Sequence, residues 1–246
     1  MFSNRYIFIY STVMVIIVAA VLSTVTILLK PYQDRNITNA KMQGILASAE
    51  ITASADDAKI LYERYISEEV VIDHEGNVVC IYKDQEFEKG DTRAFEIDLK
   101  TELYKKATGK PFKVPLYIAH VDKKIIYIVP LLGKGLWGPV YGNIAFDEEF
   151  NEIFGAEFGH DKETPGLGAE ISTREFAEQF IGKIIFDETG RFTSIKVVKG
   201  GASTLPADQR IHGVDAVSGG TITSNSVTDM LEDCLENYVL YINKKK

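Results

Sequence analysis

Cysteine, histidine, proline and tryptophan are all scarce: the 246-residue chain holds 2 Cys, 4 His, 7 Pro and 1 Trp. Two distant cysteines and a few scattered histidines offer no ligand spacing for a metal ion, so no metal site is expected. Cys80 sits in an apolar Val-Val-Cys-Ile run and Cys234 on an apolar helical face, where each reads as a small core residue. The sequence leaves open whether the two are paired. Basic runs are missing before the terminal Lys244-Lys245-Lys246, and the net charge is −8. A nucleic-acid partner would need a basic stripe and is not expected. No dinucleotide fingerprint, internal repeat or low-complexity tract is read along the chain.

Charge itself is absent from one long stretch. Tyr6–Leu29 has no charged residue and lies between Arg5 and Lys30. A bilayer-crossing helix needs ~20 apolar residues, which this segment supplies. A signal peptide is the competing reading, but its apolar part is shorter and ends at a small-residue cleavage site. Here apolar character persists through Val25, Ile27, Leu28 and Leu29 into Lys30-Pro31. Residues 1–30 are therefore expected to form an uncleaved transmembrane anchor. Basic residues flank both ends, and Asp34 after the span with no acid before it leans toward an inside amino terminus.

Residues 31–70 read as a helical connector, with Ile45, Leu46 and Ala49 on one face and a second helix opening at Ser54/Asp56. Residues 71–246 read as one mixed, mainly antiparallel α+β domain. Val70–Asp84 reads as a hairpin about Gly76-Asn77, Phe95–Leu99 as a half-buried strand and Lys100–Lys106 as a short helix. Leu116–His120 and Ile125–Pro130 read as a strand pair, followed by a strand at Asn143–Phe146 and a strand or loop at Phe154–Phe158. Ser172-Thr173-Arg174-Glu175 is a capping-box pattern opening a helix with Phe176, Phe180 and Ile181 inward. Ile184–Asp187 and Phe192–Val198 read as a hairpin. In the last helix Val227, Met230, Leu231, Cys234, Leu235, Tyr238 and Ile242 share a face, with Ser224 or Asn225 as N-cap and Asp229 near the positive dipole end.

Three loops hold the chemistry. Asp215-Ala216-Val217-Ser218-Gly219-Gly220-Thr221-Ile222-Thr223 is a hydroxyl- and glycine-rich turn feeding that helix. Read locally it is either a plain cap or a cradle in which backbone N–H groups meet an anion. Gly133–Gly142 gathers four glycines about Trp137, which is either a core pin or a ligand plate. Glu163-Thr164-Pro165-Gly166-Leu167-Gly168 cannot be regular, because proline and glycine interrupt it.

The first of these loops resembles the flavinylation motif Asp-x-x-Ser/Thr-Gly-Ala-Thr, in which a flavin transferase esterifies FMN through its phosphate to the last threonine. Asp215, Ser218, Gly219 and Thr221 match, and Gly220 stands where the motif has alanine. With the anchor, Gly-Lys-Gly-Leu-Trp and Tyr141-Gly142, and Glu-Thr-Pro-Gly-Leu-Gly in one order, the chain resembles the NqrC family of Na⁺-translocating NADH:quinone oxidoreductase subunits. The G subunit of Rnf-type ferredoxin:NAD⁺ oxidoreductases shares two of these motifs and is the alternative, as is a flavin-free membrane-anchored assembly or sensing domain. The resemblance implies one covalent FMN on Thr221, relaying electrons from NADH toward ubiquinone or menaquinone with Na⁺ export. It implies a six-subunit membrane complex, a flavin transferase that recognises Asp215 and Ser218–Thr221, and a soluble domain on the periplasmic or outer side of the cytoplasmic membrane. It also places Ser218, Gly219, Gly220 and Thr223 beside the attachment point, with Thr223 either a phosphate contact or a second cap hydroxyl. Trp137 and Leu167 would be apolar lining for the ring; Glu163, Thr164 and the Gly166–Gly168 amides would be polar contacts. No residue is expected to act as a catalytic nucleophile in turnover.

Overall fold

Apolar side chains point to alternate sides of every long strand, and both sides are buried. Val70, Ile72, Tyr127, Val129, Ile144 and Phe146 enter one core, while Val71, Ile126, Ile128 and Ala145 enter a second. A sheet covered on both faces reads as near-continuous apolar runs, as these strands do. The computed structural model describes residues 3–245. Met1, Phe2 and Lys246, at the ends of the expected anchor and domain, lie outside the described residues.

The sheet contains β1 (Ile66–Asp73), β2 (Val78–Lys83), β3 (Glu86–Lys89), β4 (Lys113–Val121), β5 (Lys124–Lys134), β6 (Pro139–Phe146) and β7 (Ile153–His160). Their order is β3-β2-β1-β4-β5-β6-β7 and every pairing is antiparallel. The first core lies under α4 (Arg174–Glu178), α5 (Thr221–Leu235) and α6 (Val239–Lys245). The second is closed by Met42, Ile45 and Leu46 near the end of α1 (Asn4–Ser48), and by Ala58 and Tyr62 of α2 (Ala58–Tyr65). The chain divides into two compact units, Met1–Lys41 and Met42–Lys246. In the first, α1 is the one helix among the described residues long and apolar enough to cross a membrane.

Several elements differ from the sequence reading. α1 passes through Pro31 without ending; a proline removes one backbone bond, and the rest of the long helix carries the turn. The helical reading of 31–70 overruns, since β1 begins at Ile66. Phe95–Leu99 is not a strand: Ala94–Glu96 is a 3-10 turn and α3 spans Leu99–Ala107. The cause is Glu69, buried in β1, whose carboxylate accepts from the Phe95 amide at 3.0 Å and pairs with Arg93. Thr173 rather than Ser172 caps α4, and Ile181 is exposed while Phe176 and Phe180 are buried. The expected hairpin at 184–198 is reduced to one bridge, Phe186↔Phe192. Its second half, β8 (Lys196–Val198), pairs in parallel with β9 (Gly213–Asp215) instead. That pairing sets the start of the hydroxyl-rich turn. Cys80 and Cys234 are buried free thiols.

Candidate cofactor-binding site

Every apolar residue expected on the last helical face is buried, which fixes the axis of α5 against β5. The helix starts earlier than capping logic suggests. Its N-cap is Gly220, with no side-chain cap bond, and Thr221 is its first residue. Ser224 is inside the first turns, its amide bonding back to the Gly220 carbonyl at 2.8 Å. Its hydroxyl accepts from the Val217 amide at 3.2 Å, so it closes the turn instead of capping the helix.

Among the described residues, the amides of Thr221, Ile222 and Thr223 donate to no protein acceptor. The Thr221 hydroxyl has no hydrogen-bond partner either, and the residue is half-buried. An oxygen so placed faces the positive end of a 15-residue helix, where a phosphodiester's negative charge is favoured. Gly219 has φ +74°, and a Cβ there would lie 2.5 Å from Leu167 Cδ2. Only glycine lets Leu167 lie this close over the turn.

The other two loops converge on Glu163, a nearly fully buried carboxylate. Its Oε2 accepts from the Thr223 hydroxyl at 2.7 Å and its Oε1 from the Trp137 amide at 3.1 Å. Its own amide donates to His160 Nδ1 at 3.3 Å. A Cβ on Gly135 would be 2.6 Å from Oε1, and one on Gly168 would be 2.7 Å from Oε2. The glycines of both loops therefore make room for one carboxylate. Thr223, expected as a phosphate contact or second cap, spends its hydroxyl on this clamp.

The remaining expected contacts are dispersed differently. The Thr164 carbonyl accepts from the Leu167 and Ala169 amides, each at 3.1 Å. The Gly166 amide is held by Glu170 at 2.9 Å, which leaves the Gly168 amide as the uncommitted one of the three among the described residues. Trp137 is 64% exposed, so it is not a core pin; the Glu163 carboxylate fixes its backbone and leaves the residue outside. Leu136, Leu167 and Ile222 are exposed as well. Ser218 is exposed, and Asp215 is tied into the fold, its Oδ1 accepting from the Ala202 amide at 2.6 Å. Sequence reasoning missed Gln179, which accepts from the Asp215 amide at 2.8 Å; nothing in its local pattern signals this.

Gly133-Lys134-Gly135-Leu136-Trp137-Gly138 does spell the glycine spacing of a dinucleotide fingerprint. It turns between antiparallel strands β5 and β6, however, and opens no helix, so it makes no dinucleotide-binding turn.

A partnerless hydroxyl, open helix-end amides and exposed apolar plates form a site suited to an amphipathic anionic group such as a flavin mononucleotide. The family model described as FMN-binding domain matches residues 135–236, which take in the Glu163 and Asp215 loops and the Trp137 loop from Gly135 onward. The chain is 31% identical over 216 residues to the NqrC protein of the Na⁺-translocating NADH-quinone reductase of Vibrio anguillarum, covering 86% of this chain and 82% of that one. It is 32% identical to the NqrC protein of Neisseria meningitidis, covering 89% and 85%. The crystal structure of the NqrC protein from Parabacteroides distasonis is similar with a TM-score of 0.73 and 39% identity, over 87% of this chain and 96% of that one. The fold and site thus define an FMN-binding α+β domain on a chain with a long apolar N-terminal helix. The chain belongs to the NqrC family of Na⁺-translocating NADH-quinone reductases.

Proposed function

We propose that Thr221 carries FMN covalently, through a phosphoester to its hydroxyl, and that the domain relays electrons within the reductase complex. As a family member the chain is an FMN-carrying electron-transfer subunit, part of an oxidoreductase and not a complete enzyme alone. The observation that carries the covalent reading is the Thr221 hydroxyl itself. It lacks any partner among the described residues, at a helix end whose first three amides are also uncommitted.

FMN supplies reversible electron transfer when bound. The chain's residues have other work. Helix α5 holds the phosphate's charge at its N-terminus, and Gly219 lets Leu167 lie close over the turn. Leu167 and Trp137 offer apolar surface to the ring. Glu163 keeps Trp137 and α5 at fixed separation. Asp215 and Ser218–Thr221, on an ordered but accessible turn, suit recognition by a flavin transferase. Membrane anchoring through Tyr6–Leu29, an outer-side domain, a six-subunit assembly and Na⁺ export belong to the same proposal. So do the limits 1–30 for the anchor, 31–70 for the connector and 71–246 for the domain.

Intact mass tests the attachment. Protein matured beside a flavin transferase should be heavier by one FMN less water and stay yellow after denaturation. Thr221→Ala should remove both signals while leaving the fold intact. Flavin retained by denatured Thr221→Ala protein would refute the assignment.

A further inference from the structure

A cleft of about 610 Å³, with none of Glu163, Leu167 and Thr221 in its lining, opens between the Trp137 turn and α3. Its lining includes Leu103, Leu132, Leu136 and Trp137, together with Lys100 and Lys134 and no carboxylate. This is unusual on a chain with 35 acidic and 27 basic residues. Neither lysine's ammonium group has an ion-pair or hydrogen-bond partner among the described residues, and both residues are exposed. Leu136 and Trp137 stand exposed at the rim. An apolar centre with an aromatic anchor and a rim of one charge is the composition of a docking surface.

The cleft is also joined mechanically to the flavin helix. Its Gly133 backbone lies directly on α5, where an added Cβ would be 2.6 Å from Met230 Cβ. The Trp137 amide is tied to α5 a second time, through Glu163 and Thr223.

We propose that this cleft docks an apolar, carboxylate-bearing segment of a sister subunit and so brings an electron partner to the flavin edge. The inference rests on the electron-carrier reading given above. Charge complementarity selects the occupant: two unpaired lysines around apolar walls favour an acidic segment and repel a basic one.

The test uses the full chain in the assembled complex. The Lys100→Glu/Lys134→Glu variant should slow reduction of this protein's flavin by NADH roughly tenfold at low ionic strength, with the gap closing as salt rises. Lys100→Arg/Lys134→Arg should match the wild type. Flavin content by denatured mass should not change in either, which separates this proposal from the attachment reading. An unaltered rate and salt dependence with flavin loaded would overturn the proposal. Flavin content lost in the charge-reversed variant alone would overturn it too, by giving the cleft to the cofactor. Should the variant fail to assemble, a photo-crosslinking residue at Leu103 in the otherwise native complex decides. A crosslink to an acidic segment of a sister subunit supports the docking; a crosslink to lipid alone defeats it.

Discussion

The hydroxyl of Thr223 donates a 2.7 Å hydrogen bond to Oε2 of Glu163, joining the first turn of α5 to a loop 60 residues earlier. The same carboxylate receives the Trp137 amide on its other oxygen. One buried side chain thereby holds all three motif loops. Removing it leaves a buried hydroxyl and a backbone N–H without their acceptor, each at a cost of about 1–3 kcal/mol. Glu163→Ala should thus lose about 3 kcal/mol of stability in urea unfolding and load less flavin. Glu163→Gln, which retains an acceptor, should lose less and load nearly normally. Equal behaviour of the two variants would contradict the clamp.

Alanine at two neighbouring glycines should give opposite results. At Gly168 a Cβ would lie 2.3 Å from Thr223 Oγ1 and 2.7 Å from Glu163 Oε2, and the clamp would have to open. At Gly220 the nearest atoms are those of Val217 at 3.2 Å, and φ is −101°. Gly168→Ala should destabilise by about 2 kcal/mol or more, as overpacking does, and Gly220→Ala by under about 1 kcal/mol with flavin attachment unimpaired. Thermal melts and intact mass of both variants check this.

Trp137→Ala should keep covalent flavin, because Thr221 and its helix are untouched. It should still change the flavin's visible absorption and fluorescence, since an exposed aromatic plate beside the site is lost. A spectrum identical to the wild type would place the ring away from Trp137.

Burial pushes the Cys234 thiol up to about 11, against an unfolded value of about 8.5. The folded state favours the neutral thiol, so its contribution is complete below about pH 8.5 and is lost as pH rises toward 11. The stability gap between wild type and Cys234→Ala should therefore narrow over that range in urea titrations. A constant gap would mean that the thiol is not sequestered.

Local pattern makes much of this legible. The uncharged Tyr6–Leu29 run, the apolar face from Val227 to Ile242 and the strand pairs about Gly76 and Val121–Lys124 follow from periodicity and turn residues, and they appear in the fold. The three loops are visible as motifs, and Thr221 as a hydroxyl in the turn ahead of the last helix. The Phe95–Leu99 reading fails because Glu69, in a different strand, captures the Phe95 amide. The 184–198 hairpin fails because β8 finds its partner in β9.

Sequence alone determined the long apolar helix, the α+β class and the motif-bearing turn, because each depends on contacts within a few residues. Tertiary structure alone decided that Glu163 is a clamp, that Trp137 is outside, and that Ser224 closes the turn while Gly220 caps. The roles of Glu163 and Trp137 depend on atoms brought together across 26 and 60 residues, that of Ser224 on a backbone N–H 7 residues away, and hydrogen-bond capacity is allotted by proximity in space rather than by spacing along the chain.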